Sequence, residues 1–580
     1  MCQKYEIYLA DGRCLNHDKS WRMGLRRKEQ RFSRGYSMDV KGRARRRNLG
    51  LCAVVAVFVL GACSGPNPAA GPTDEQLRVA LAESLVLTGK SPHSDSFADV
   101  ATSEGHHLQS VYETRNFKPI WVGPGGANER AHLLLARLSD AGSDALNPQH
   151  YGLEEVLDPL ASGNADALAS AELYFSRALM HYAADLQGVG EGDATIVAAA
   201  GSAIDFGDYL DSLIPRDPAY RRLRAAMRLY RGIEAGGGWP LIPSGPTLRP
   251  GVTDSRTLLL RQRLGTTGDL SAAGARAESE LFDEAVEAAL RRFQERHGLK
   301  MDGIAGTRTL EALNVPVAQR IERIAKNLAQ RRSEATGFGE QALVVNIAAQ
   351  ELVLIDGGNE ILRSRTIVGR AGWETPLLSS EIRSIEVNPT WTVPRKIALQ
   401  EILPRARKDG PEYLGNRGYR VFDAKMRPLD AAEIKWESIG DSYMPYTLRQ
   451  DAGAGNALGR VKFLFPNDQD IYLHDTPGRT LFSRASRALS HGCVRVEKAD
   501  ELAILLLRSG ADWRKADYER ALKSGKTVRI RLVRPVSVHV VSFTAWVEED
   551  GTVQFRNDPY ERETPNINKN KPGNNNGNFL

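Results

Sequence analysis

Two short stretches decide the reading of this chain: Ile471-Tyr472-Leu473-His474-Asp475-Thr476 and Ser490-His491-Gly492-Cys493-Val494-Arg495-Val496. The first closes a strand that ends at His474. The eighteen residues between His474 and Cys493 include Gly478 and several Arg and Ser, as expected of a loop that brings the chain back so that imidazole and thiol meet. A thiol with a pKa of roughly 8.5 is mostly protonated at neutral pH. A neighbouring imidazole can take that proton and later return it to a leaving amine. Gly492 lets main chain approach a substrate closely, and backbone N–H groups there can face an oxyanion. Arg495 carries a fixed positive charge suited to a carboxylate. Cys493 is therefore the candidate nucleophile and His474 its proton partner. Ser490, His491, Gly492 and Tyr472 are oxyanion or site-shaping candidates. A zinc site built from His474, Asp475, His491 and Cys493 is the competing reading, because the ligand types fit.

Working outward, strands are expected at Leu343–Ile347, Glu351–Ile355, Ile361–Val368, Ile382–Val387, Val461–Phe465 and Thr527–Val533, with Asp356-Gly357 as a turn. Lys498–Arg508 reads as an amphipathic helix. Residues 388–445 interrupt the sheet with an insertion rich in Trp, Tyr and Pro. In it Trp391, Tyr413 and Tyr419 are candidates for apolar contact with a substrate, or for the insertion's own small core. Residues 536–556 are expected to form a terminal hairpin around Asp550-Gly551, and 557–580 a polar, Asn-rich disordered tail.

Upstream, residues 252–315 form a compact unit: a helix Leu258–Leu264, a helix Phe282–Arg296, a Gly-rich turn segment and a helix Thr307–Leu313 that Thr307 can cap. Gly298, Gly303 and Gly306 permit tight turns there. A helical linker spans 316–340. Residues 74–250 read as mainly helical, with apolar spacing clearest at Ala171–Leu186 and Tyr220–Ile233, and with no catalytic constellation.

The chain has 580 residues, too long for one ordinary domain, and 42% hydrophobic residues, enough for packed cores. Its net charge of +6 is concentrated at the start: residues 1–62 hold 14 Lys/Arg against 5 Asp/Glu, so residues 63–580 are net negative by three. That balance points away from nucleic acid as a partner. Arg43 to Arg47 precede the apolar run Leu49 to Ala62, which is short for a membrane span. The run ends in Leu60-Gly61-Ala62-Cys63, with Pro-rich residues 64–73 following as a tether. Met38 is an alternative start. Cys2, Cys14, Cys52 and Cys63 are the other cysteines; if Cys63 becomes a modified mature N-terminus, Cys493 is the single thiol left.

Residues 1–63 thus resemble a signal segment with a bacterial lipobox in which Cys63 is lipidated, and Ser64 after it implies the outer membrane. The run "FQ..HGL..DGIAG..T..AL" resembles the three-helix peptidoglycan-binding domain of wall enzymes. The runs "LVVNI", "IVGR....TPLLSS", "NPTWTVP.KIA..EILP", "NALGRVKFLFPN", "IYLHDTP" and "SHGCVRVE" resemble the YkuD-type catalytic domain of L,D-transpeptidases, densely over about 340–535. With the helical scaffold region, the architecture is similar to the large YcbB-type murein enzymes, although a lipobox is a departure from that subgroup. The resemblance implies a multidomain protein: helical scaffold, small helical wall-binding domain, and a mainly-β, sandwich-like catalytic domain over 341–535 with the insertion as a capping subdomain. It implies Cys493 as nucleophile, His474 as proton donor/acceptor, Ser490, His491, Gly492 and Arg495 around the site, no metal or organic cofactor, and peptidoglycan stem peptides as partners in an exported, periplasmic setting; Trp391 is the insertion's candidate for substrate contact. Membrane contact would come only through Cys63. An L,D-carboxypeptidase, a protein-to-wall attachment enzyme and a non-catalytic wall-binding lipoprotein are the alternatives.

Overall fold

The computed structural model describes residues 71–88, 102–188, 192–334, 338–511 and 513–560. The signal segment, Cys63, most of the tether and the tail from 561 on lie outside them. Among the described residues, no helix is long and apolar enough to cross a membrane.

The N-terminal region is helical around Ala165–Gln187, which Asn164 caps by accepting from the Ala167 N–H. This helix is buried on most of its circumference because shorter helices surround it, among them Asp74–Thr88, Glu129–Ser139 and Thr195–Ser202. Helix Pro218–Ala235 belongs to a different core. Its Tyr220, Leu223, Met227 and Tyr230 pack with Ile324 and Leu328 of helix Val317–Ser333 and with Ala545, Val547 and Phe555. The linker helix and the end of the chain are thus built into the scaffold. Fully buried Asp144 ties this seam by accepting from Arg224 Nε at 2.7 Å, Tyr220 Oη at 3.1 Å and Tyr182 Oη at 3.3 Å. Asp144→Ala takes the buried partner of Arg224 Nε, leaving that guanidinium only the half-exposed Asp140, and removes the acceptor of two hydroxyls. We expect it to cost about 3–5 kcal/mol in denaturant unfolding; a loss within about 0.5 kcal/mol, typical of surface changes, would contradict that role.

Residues 252–315 have their own core of Leu260, Leu264, Val286, Leu290, Phe293 and Leu313. Their helices are Arg256–Thr266, Glu284–Arg296 and Thr307–Leu313, with a single extra turn at Ala272–Ala275. Gly298 and Gly303 adopt φ of 64° and 70°, a conformation few other residues accept. Thr307 does not cap: Gly306 occupies the N-cap position and no side chain satisfies it.

Residues 341–541 are built on one continuous nine-stranded sheet. Its order is Ala488–Ser490, Asn359–Gly369, Val494–Val496, Leu473–His474, Val461–Leu464, Leu378–Val387, Val528–Val541, Gln341–Asn346, Glu351–Asp356. Glu351–Asp356 also pairs with Asn359–Gly369, which closes the sheet on itself. Helix Ala499–Gly510 contributes Leu502, Ala503, Leu506 and Leu507 to its core. The strand expected to stop at Val533 runs on to Val541 through a register shift between Arg531 and Val536. Pro535 sits in that irregularity, where its missing N–H costs no ladder bond. The terminal hairpin is correspondingly shorter, pairing Ala545–Val547 with Val553–Phe555.

The insertion has a four-stranded sheet, Trp391–Thr392, Thr447–Gln450, Tyr419–Phe422 and Pro428–Leu429 in that order, and a helical stretch over 395–409. Its return strand carries it to Gln450, past the expected end at 445. Val393, Leu403, Leu414, Val421, Trp436 and Leu448 form its own core, with Trp391, Tyr413 and Tyr419 packed against it. Buried Asn456 staples its neck by donating to the Pro389 and Asp451 carbonyls at 3.0 and 2.8 Å.

Candidate active site

Strand alternation builds the site. Ile530, Ile385, Phe463, Leu473 and Val494 lie side by side across five strands, and all belong to the apolar core. One residue along each strand, the opposite face presents Arg529, Glu386, Lys462, His474 and Arg495 in a second row. Tyr472 and Cys493 stand just ahead of these strands, and contact brings them to the same side: the sulfur lies against Tyr472, and the Lys462 ammonium lies over the Tyr472 ring.

Cys493 is half-buried. Its sulfur contacts the Asp470 carbonyl at 3.8 Å and lies against both the backbone and the hydroxyl of Tyr472. Burial pushes the thiol pKa up, while Tyr472, Lys462 and Arg495 pull it down. Burial and the nearby sulfur hold the Tyr472 phenol well above its usual value, so it remains an O–H donor. Trp391, at the base of the insertion, is in polar contact with that phenol. The Lys462 ammonium lies 3.8 Å from the centre of the Tyr472 ring.

The His474 ring is 5% exposed, and its Nδ1 donates to the Asp475 carbonyl at 2.5 Å. The Leu458 carbonyl is also in polar contact with the ring. Burial, with Arg495 and Lys462 beside it, pushes its pKa down to about 3 and keeps the imidazole neutral. The thiol and this ring share the face, but the thiol's polar contacts are with Tyr472 and Asp470. Arg495 is substantially buried, its Nε without a hydrogen-bond partner. Burial lowers its pKa, and Cys493 and Glu401 oppose that.

Ser490 and Gly492 shape the loop. Ser490 Oγ donates to the Cys493 carbonyl at 2.6 Å and accepts from the Gly492 N–H at 3.1 Å. That N–H is consequently turned inward and is not an oxyanion donor in this arrangement. Gly492 has φ of 109°, and a side chain there would crowd Ile471. Its carbonyl accepts from Thr375 Oγ1 at 2.7 Å. His491 faces the insertion: its Nε2 lies 2.6 Å from Glu401 Oε1 and its ring edge-on to Trp373. Burial would raise the Glu401 pKa, but bonds from His491 and Arg370 bring it below the usual carboxylate value. The Asp475 carboxylate goes elsewhere, accepting from the Arg460 N–H and from Arg479, each at 3.0 Å. The four side chains weighed as zinc ligands are thus aimed at different partners. Of the three insertion aromatics, Trp391 touches the site, while Tyr413 and Tyr419 serve the insertion's core.

Sequence reading missed three contributors. Lys462 sits inside a recognisable run, but only strand register puts it beside His474. Glu401 meets His491 across 90 residues of sequence. Tyr560, placed in the disordered tail, is ordered: its hydroxyl donates to the Gly369 carbonyl at 2.9 Å and accepts from the Thr375 N–H at 3.1 Å, bracing the loop behind Gly492. A cleft of about 490 Å³ opens elsewhere, lined by Tyr230, Asp269, Arg296, Glu548 and Gln554, with none of the residues around Cys493 in its wall.

A half-buried thiol, a neutral buried imidazole and a cation thus share one side of a closed, mainly-β sheet. In comparison with known proteins, residues 340–530 match the L,D-transpeptidase catalytic domain, residues 106–227 a scaffold domain, and residues 254–313 the family described as "Putative peptidoglycan binding domain". The chain therefore carries an L,D-transpeptidase catalytic domain beside a wall-binding helical domain and a helical scaffold. It is 41% identical over 236 residues to the "Putative L,D-transpeptidase" of Haemophilus influenzae. That alignment covers 40% of this chain and 47% of the relative, so the chain spans about half the length of the curated relative it matches. Among solved structures, an L,D-transpeptidase from Stackebrandtia nassauensis matches at 15% identity, covering 51% of this chain and 95% of that one, with a TM-score of 0.19. One from Mycobacterium smegmatis matches at 13% identity, covering 35% and 59%, with a TM-score of 0.18. At these scores the overlap bears on neither fold nor function.

Proposed function

We propose that this protein is a cysteine-dependent L,D-transpeptidase of the cell wall. The observation that carries this reading is the placement of Cys493, Tyr472, His474 and Arg495 on one face of the closed sheet, under an insertion whose Trp391 reaches the same phenol. In this reading the Cys493 sulfur attacks the carbonyl of the third residue of a tetrapeptide stem. Tyr472 steadies the developing charge at sulfur by donating its O–H. Nδ1–H of His474, pinned on the Asp475 carbonyl, leaves Nε2 as the proton acceptor. Catalytic hydrogen bonds of this kind often close only when substrate is bound, so His474 approaches the thiol on engagement. D-Alanine departs with the proton, and the thioester passes to a side-chain amine of another stem, giving a 3→3 cross-link. Arg495 suits a stem carboxylate because its buried Nε is unsatisfied. Residues 254–313 would hold the enzyme on the wall, which implies an exported protein, with lipid on Cys63 as its anchor.

Purified tetrapeptide muropeptides separate the readings by mass spectrometry. Dimers support transfer to an amine, tripeptides alone mean that water is the acceptor, and unchanged substrate leaves a wall binder. A second check uses strained acyl donors. A thiolate that accepts a stem acyl group should also open a carbapenem ring, giving a stable adduct on the Cys493 peptide, with much weaker acylation by penicillins. Intact protein with no added mass after carbapenem treatment would count against the nucleophile.

A further inference from the structure

The His474 imidazole is neutral and is not the thiol's contact, so the positive charge that a thiolate needs must come from another group. Two cations flank the sulfur on the same face. Arg495 lies two residues after Cys493, in the strand Val494–Val496. Lys462 comes from the strand beyond the one that carries His474, and pairs with His474 on one side and Glu386 on the other. Its ammonium rests 3.8 Å from the centre of the Tyr472 ring, the phenol of which meets the sulfur. A cation on a phenol ring draws electron density from it and makes the O–H a stronger donor. The ammonium also acts on the sulfur directly through a half-buried, low-dielectric space.

We infer that Lys462 is a positioning residue for the nucleophile: seated on Tyr472, it sets the fraction of Cys493 present as thiolate, directly and through the tyrosine hydroxyl. The inference rests on the reading of Cys493 as the reactive thiol. Ionisation breaks the S–H bond, sulfur keeps the electron pair, and the proton leaves to solvent or, with substrate bound, to the imidazole. Lys462 keeps its own protons throughout. The charged and titratable groups around it are Glu386 and His474 on the two adjacent strands, Arg529 beyond Glu386, Cys493 and Arg495 beyond His474, and Asp470 in the turn before Tyr472. Burial lowers the Lys462 pKa, with Arg529 acting the same way, while Glu386, Cys493 and Asp470 support its charge.

The test is the pH profile of Cys493 alkylation by iodoacetamide in the full chain, read on the Cys493 peptide by mass spectrometry. We expect Lys462→Met to move the midpoint up by about one pH unit and slow alkylation roughly tenfold at pH 7, with both proteins converging at high pH. Lys462→Arg, which keeps the charge, should follow the wild type. Convergence at high pH shows that the site is intact and accessible. Superimposable profiles would overturn the inference. So would a loss by the same factor at every pH, which is an access effect, or a Lys462→Arg profile that follows Lys462→Met. If cross-linking persisted in Cys493→Ala, the proposed function would fail instead, an outcome the alkylation profile does not register.

Discussion

Cys493→Ala should abolish both the acyl-enzyme and cross-linked product. Removing the nucleophile from a set of groups that act together typically costs on the order of 10⁶ in rate. The fold should survive, because Cys493 packs only at the margin of the catalytic core and alanine leaves no buried charge. Binding to isolated sacculi should also survive, since residues 254–313 match the wall-binding domain and their core shares no residue with the catalytic one. Intact-mass analysis after incubation with tetrapeptide substrate reads the first expectation, and pelleting with sacculi reads the second. Turnover of the alanine protein above background would remove Cys493 from the mechanism.

His474→Ala should lower turnover by roughly 10²–10⁴, the usual contribution of a positioned proton-transfer group. It should also change how stability depends on acid. With its folded pKa near 3 against an ordinary value of 6.5, His474 stays neutral while the unfolded chain takes up a proton. The unfolded state therefore binds more protons between those values, and stability falls as pH drops from about 6.5 towards 3. Buried His297, its pKa lowered first by burial and then by Arg296, acts with the same sign. Removing His474 should flatten that slope without removing it. Urea midpoints at pH 7 and pH 4.5 measure this. A midpoint difference equal to wild type, together with unimpaired turnover, would show that the ring is neither a proton carrier nor buried neutral.

Much of this was legible in the residues. Tyr472 and His474 lie two apart, as do Cys493 and Arg495, within the two short stretches that carry the thiol chemistry. Gly298 and Gly303 announced turns that only glycine readily makes. The strand expected to end at Val533 was too short, because the sheet absorbs Pro535 in a register shift and continues to Val541. Tyr560 misled because a polar, Asn-rich surrounding outweighed one aromatic residue that finds a carbonyl and an N–H nearly 200 residues away.

By itself the sequence determined what is local or periodic: the strands and helices, the insertion that interrupts the sheet, and the types of group available for thiol chemistry. The tertiary structure alone decided what depends on register and long-range contact. It turned the Gly492 N–H onto Ser490, gave His491 to Glu401, and set Lys462 between Glu386 and His474 with its charge on Tyr472. The physical reason is that strand alternation is written within a few residues, whereas which strand lies beside which is fixed by the burial of a shared core whose members are scattered across 200 residues.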